Sequence, residues 1–143
     1  MRILVPVDGS QAALRAVKHA AALAVLAVHG KREVHLLNVQ PILPMYGMVR
    51  AYMRLPQYRA ARATLARQAL VGAERLLKRA QIAHKAHVMY GEAGETIADA
   101  ARSLKCRMVV MGTRGQGAVG NLLLGSVATK VIHLAKVPVT LVK

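Results

Sequence analysis

The chain contains no phenylalanine, no tryptophan, one cysteine and only six acidic residues in 143. Without Phe or Trp, the core has to be filled by 25 Ala, 18 Leu and 18 Val, small side chains that suit helices lying close on a sheet. The lone Cys106 excludes an internal disulfide framework and a cysteine metal cluster, which makes a reducing cytoplasm the simplest home. The longest uninterrupted apolar run, Ala20 to Val28, is nine residues. A membrane-crossing helix needs about 20. No secretion signal is expected either, because Asp8 closes the first apolar stretch early.

What is present is apolar and basic. Hydrophobic residues make up 55% of the chain, and one domain over residues 1–143 is expected to bury about 68% of the unfolded surface. Against the six acids stand 21 Lys and Arg, a formal charge of +15. Such a surface attracts anions over about 8 Å at physiological salt. Nucleic acid, anionic lipid, acidic proteins and nucleotide phosphates all qualify, so local motifs must choose among them.

Strand-length apolar runs alternate with segments of helical period. Met1 to Val7 reads as a strand buried on both faces, closed by Asp8-Gly9-Ser10, with Ser10 as N-cap of a helix from Gln11 to His29 that stops at Gly30. Glu33 to Val39 reads as a second strand. Pro41, Pro44 and Gly47 then exclude regular structure until about Pro56. From Gln57 to Ala83 the period is helical, with Leu65, Ala69, Leu70, Ala73, Leu76, Leu77 and Ala80 on one arc and Arg67, Arg75, Lys78 and Arg79 on the other, solvated one. His84 to Tyr90, Arg107 to Met111 and Val137 to Val142 read as three more strands, with helices from Glu95 to Leu104 and Ser126 to Ala135. This alternation implies a parallel sheet with right-handed crossovers and helices on both faces.

Five of the 11 glycines fall between Met111 and Val127, in M-G-T-R-G-Q-G-A-V-G-N-L-L-L-G-S-V. A glycine-rich loop between a strand end and a helix start exposes backbone N–H groups to an anion. Gly115, Gly117 and Gly120 spell G-x-G-x-x-G, but that fingerprint belongs to a first β-α turn and needs an acid about 20 residues on. No acid follows Asp99. Gly120 to Ser126 lacks the lysine of a P-loop.

A third spacing remains: Gly112-x-x-Gly115, nine residues, then Gly125-Ser126. It resembles the G-2x-G-9x-G-(S/T) signature of the ATP-binding branch of the universal stress protein family. The resemblance covers nearly the whole chain, including I-L-V-P-V-D-G-S, H-L-L-N-V, G-E-A-G-E-T-I and V-P-V-T-L-V. It implies an open, doubly wound five-stranded parallel sheet in the order 3-2-1-4-5 and a homodimer formed through the last strand. It also implies a site for ATP or another adenine nucleotide. There Gly112, Gly115 and Gly125 let the backbone approach the ligand, and Ser126 and Val127 donate N–H groups to phosphate. Asp8 positions the nucleotide directly or through a hydrated Mg²⁺, Val39 recognises adenine through its backbone, and Pro6 and Met111 form walls. Arg114 is a candidate phosphate contact.

Each of these has a plainer reading. Asp8 is also a common turn residue, Ser126 an ordinary N-cap, and Arg114 a solvated loop charge. The six histidines have no compact metal-ligand spacing and read as surface or partly buried residues. No catalytic motif is recognisable, so the chain reads as a binding module rather than a fast enzyme, and the resemblance implies a regulatory role in stress response or signalling. A slow ATP hydrolase or autophosphorylating protein and a basic nucleic-acid-binding protein are the alternatives. The Met- and Tyr-rich segment 41–58 reads as a lid, a partner contact or packing over the sheet edge. Residues 100–143 carry seven Lys and Arg and no acid, which reads as a field favourable to polyphosphate.

Overall fold

A computed structural model describes residues 1–26, 32–42, 55–115 and 124–143. The elements run β1 (Arg2–Pro6), α1 (Gln11–Leu26), β2 (Glu33–Gln40), α2 (Leu55–Arg79), β3 (His84–Tyr90), α3 (Ala93–Ser103), β4 (Met108–Gly112), α4 (Ser126–Leu134) and β5 (Val139–Val142). All strand pairs are parallel, in the order β3-β2-β1-β4-β5. The order implied by the resemblance is the order found.

Side chains alternate between the faces of a strand, and here both faces are covered. Ile3, Val5, Val34, Leu36 and Val110 meet α1 and α2, whereas Leu4, Leu37, Val109 and Met111 meet α3 and α4. On α1 the buried residues are Ala13, Ala16, Val17, Ala20 and Ala24, so small side chains let this helix lie close to the sheet. Closeness also explains Gly112. A Cβ there would stand 2.9 Å from Ala12 Cβ and 3.1 Å from the Ala12 carbonyl carbon, so β4 must carry glycine beneath the first turn of α1.

Several boundaries differ from the sequence reading. The helix α3 starts at Ala93 rather than Glu95, because Glu92 accepts a hydrogen bond from the Glu95 N–H at 2.9 Å and caps a turn that already contains Gly94. A Cβ on Gly94 would stand 2.8 Å from Lys130 Cβ, so this glycine belongs to the crossing of α3 and α4 rather than to a turn. On α2 the buried residues are Ala66, Leu70, Ala73 and Leu77, and Leu65 is 55% exposed. The true apolar arc runs i, i+4, i+7, i+11 from Ala66, leaving Leu65 on its flank, while Arg67, Arg75, Lys78 and Arg79 are exposed as expected. His29 and Gly30, like Gly117, Gly120 and most of the 41–58 segment, lie outside the described residues.

One histidine departs from expectation. His35 is 3% exposed, and its partners come from its own strand, β2, and from β3. Its Nε2 lies 3.1 Å from Glu33 Oε2, and its Nδ1 lies 3.0 Å from His87 Nε2 across the β2–β3 pair. Glu33 is itself buried and also meets Lys85 at 3.3 Å and Arg2 at 3.6 Å. Burial alone would raise the Glu33 pKa, but hydrogen bonds and charge from Lys85 and His35 outweigh it and leave the carboxyl below its usual range. Burial, reinforced by His35 and Lys85, lowers the pKa of His87.

The His87 shift fixes the sign of a pH effect. The unfolded chain takes up this proton near pH 6.5, before the folded chain does, so the contribution of neutral His87 is present above pH 6.5 and is lost as pH falls. Urea midpoints should therefore decline between about pH 7.5 and 5.5. In His87→Gln, which retains a donor for His35, that decline should be smaller. An equal decline in the variant contradicts the assignment.

Candidate functional site

The neighbours β1 and β4 send their following helices to opposite faces: α1 joins α2, and α4 joins α3. Their C-terminal ends therefore part and leave a crevice, the usual ligand position in an open α/β sheet. Asp8 leaves β1 there, and Thr113 and Arg114 leave β4. The loop stem passes close over the aspartate, since a Cβ on Gly115 would stand 2.6 Å from Asp8 Oδ2. On the far side of the loop, the Gly125 N–H donates to the Thr113 carbonyl at 2.8 Å, which pins the start of α4 to the end of β4.

The crevice is a cavity of about 480 Å³, within the usual range for small-molecule sites. Pro6, Asp8, Val39, Met111, Gly112, Arg114, Gly115, Gly125, Ser126 and Val127 all line it. The sequence reading missed Asn38, Ala93, Ile97 and Thr113, which line it too. Asn38 is 3% exposed and acts as a tie: its Nδ2 donates to the Val7 carbonyl at 2.8 Å, and its Oδ1 accepts from Gln40 Nε2 at 2.6 Å. It thus fixes the backbone just before Asp8. The available signal was a lone amide inside the apolar run L-L-N-V. Ala93 is the first residue of α3, a position that suits proline.

Four helices begin at this end of the sheet, and α1, α3 and α4 differ in how their N-termini are neutralised. At α1, Ser10 Oγ accepts from the Ala13 N–H at 3.1 Å and Asp8 Oδ1 accepts from the Ser10 N–H at 2.9 Å. Ser10 is the N-cap expected, and Asp8 does fill its plainer turn role while also lining the cavity. At α3, Glu92 caps and Glu95 sits in the first turn, with Lys130 bridging them at 3.1 and 2.8 Å. The backbone hydrogen bond from Glu95 leads the lowering of the Glu92 pKa. The third helix, α4, begins after Gly125 with no side-chain cap and no acid in its first turn. Its leading N–H groups and positive dipole end face the cavity.

The glycines also answer to the protein itself, and the expectation for charge needs correction. Gly112 and Gly115 have reasons within the protein, since a Cβ would meet Ala12 at one and Asp8 at the other; at Gly125 a Cβ would make ordinary contacts of 3.4 Å. The seven basic residues of 100–143 do not gather at the cavity: Arg114 alone among them lines it. Arg102 pairs with Asp99 at 2.8 Å and Lys130 with the two glutamates, Lys105, Arg107 and Lys136 belong to the opposite end, and Lys143 follows β5 without lining the cavity. Local attraction for an anion therefore falls to the bare helix start and one arginine.

Cys106 is buried beside β4, and burial pushes its thiol up to about 11, which marks an inert apolar filler. Among the described residues no group of three or more His, Cys, Asp or Glu is placed to hold a metal ion. No described helix is long and apolar enough to cross a membrane.

The sheet order and the crevice define a doubly wound α/β protein with its ligand position at the topological switch point. Within that class the chain belongs to the universal stress protein family, whose profile matches residues 1–143. The universal stress protein in the QAH/OAS sulfhydrylase 3′ region of Thermus aquaticus is 37% identical over 142 residues, 99% of this chain and 97% of that protein. A universal stress protein from Archaeoglobus fulgidus is 27% identical, with a TM-score of 0.76 over 100% of this chain and 98% of that one. An A. fulgidus universal stress protein structure in complex with dAMP superposes with a TM-score of 0.69 at 24% identity, over 100% of this chain and 98% of the other.

Proposed function

We propose that this chain is a stress-responsive, regulatory binding module for an adenine nucleotide, with ATP as the proposed ligand. The observation that carries the reading is the convergence of the glycine signature, Asp8 and the bare start of α4 on one cavity. In this reading the polyphosphate lies across the N–H groups of Ser126 and Val127, with Arg114 reaching it from the loop stem. Adenine enters between Val39 at the end of β2 and the walls formed by Pro6 and Met111. Gly112 and Gly115 keep side chains out of the space between α1, Asp8 and the loop. Structures of universal stress proteins with dAMP, cAMP and AMP bound share the architecture, which supports an adenine nucleotide as the ligand. The residues of this chain bring the reading here.

Asp8 is the one carboxylate among the described residues lining the cavity. One carboxylate suits a Mg²⁺ held through water and nucleotide phosphates rather than in a protein cage. Such an ion would supply charge neutralisation to the phosphates. Asp8 meanwhile orients the loop at Gly115. The lone buried cysteine is consistent with a cytoplasmic setting.

Calorimetric titration with ATP, ADP, AMP and cAMP, with and without Mg²⁺, tests the reading. Binding is expected at or below ~1 mM, tightest for ATP and weakened at least tenfold, about 1.4 kcal/mol, in Asp8→Ala. A folded protein that shows no heat with any of the four at that concentration overturns it.

We also propose a homodimer through β5. Among the described residues this strand pairs only with β4, and its four residues Val139 to Val142 are all half-exposed, so its outer edge is open to a second copy. Light scattering should return twice the chain mass of 15.4 kDa. The mass of one chain at high concentration contradicts pairing.

A further inference from the structure

The positive charge that the cavity does not use has a definite place. At the end of the sheet opposite the crevice, every strand begins beside an exposed cation: Lys85 in β3, Arg32 before β2, Arg2 in β1, Arg107 before β4 and Lys136 before β5. Strand register turns these into a row. Arg2 pairs with Glu33, Ile3 pairs with Met108, and Val109 pairs with Val139. The Arg107 N–H donates to the Arg2 carbonyl at 2.9 Å. Four of the five therefore stand within one residue of a line across β2, β1, β4 and β5. Lys85, opposite His35, stands two residues further in. Five strands about 4.8 Å apart make the row about 19 Å long. Lys78 and Arg79 in the last turn of α2, and Lys105 after α3, flank it and are exposed.

Cations beside helix C-termini have a plain explanation, because each terminus carries about half a negative charge. Four helices end at this end of the sheet, which accounts for about two charges. Glu33 is the one acid at the five strand starts, and it is engaged by Arg2, His35 and Lys85. Eight cations exceed that sum by about five. No ion pair joins Arg107, Lys136, Lys78, Arg79 or Lys105 to a described carboxylate.

We propose that this row is a docking surface for the sugar-phosphate backbone of a nucleic acid. A line of cations matches a chain of anions better than a planar sheet of them. A duplex carries a phosphate about every 1.7 Å of helix axis over its two strands and turns about half of them toward any one side, so the row faces about five phosphates. Arginines at three of the five positions add forked donors suited to phosphate oxygens. None of the row is aromatic, so recognition is of the backbone and independent of base sequence. The row and the cavity occupy opposite ends of the sheet, so this assignment stands apart from the nucleotide reading.

Fluorescence anisotropy with a mixed-sequence 20-base-pair DNA duplex, measured from 50 to 200 mM salt, tests it. A logarithmic salt slope of about −4 is expected for four to five phosphate contacts. Arg107→Gln with Lys136→Gln should weaken binding and reduce the slope by about two. Lys18→Gln with Arg67→Gln removes the same charge from exposed sites on α1 and α2 and should leave the slope near −4. Neither pair should alter a nucleotide titration. Equal losses from both pairs overturn the row. So does the absence of duplex binding at 50 mM salt, alone or with binding to phosphatidylserine vesicles, which would assign the surface to a bilayer.

Discussion

The adjacency of β1 and β4 is the constraint on which the rest depends. These strands are separated by about a hundred residues of chain, yet Ile3 pairs with Met108 and Leu4 with Val109. Because the following helices leave to opposite faces, the same pairing that completes the middle of the sheet opens a crevice at its C-terminal edge. Asp8 and the glycine loop meet there for topological reasons. Small residues make this tolerable: α1 buries four alanines and one valine, and Gly112 leaves room for Ala12. A chain without Phe or Trp can bring a helix this near a strand end without filling the crevice.

Charge is sorted by the same topology. Of the six acidic residues, Glu92, Glu95 and Asp99 are committed to α3 and its contacts with Lys130 and Arg102, Glu33 is buried under β1 and β3, and Asp8 turns the chain into α1. The N-terminus of α4 is left without a side-chain cap. Capping of α3 with acids and of α4 with nothing makes one helix start neutral and the other anion-seeking, although both open at the same edge of the sheet. Five basic residues line up where the strands begin, away from the cavity.

Much of this was legible from residue order alone. The strand β3 falls on His84–Tyr90 as read, and all ten proposed site residues line one cavity. The strong signals were those with a single physical source: apolar runs buried on two faces, Ser10 as N-cap, and glycine spacing. The reading faltered where a residue answers to a distant partner. Gly94 reads as a turn until Lys130 comes across it, His35 reads as ordinary until Glu33 and His87 flank it, and Asn38 shows only as a lone amide in an apolar run, not as the tie to Val7. The cluster of cations in residues 100–143 looked local in sequence and proved to be spread between two ends of the molecule.

The central claim is that the bare start of α4 seats the phosphates, and Gly125→Asp tests it most directly. Gly125 has φ −75° and ψ 156°, which aspartate adopts readily, and its Cβ would make only ordinary contacts. The new carboxylate should cap the helix and stabilise the free chain by a few tenths to about 1 kcal/mol. It would occupy the phosphate position with like charge, so ATP affinity should fall more than tenfold, about 1.4 kcal/mol. A stabilised variant that still binds ATP as tightly as the natural sequence would contradict the account.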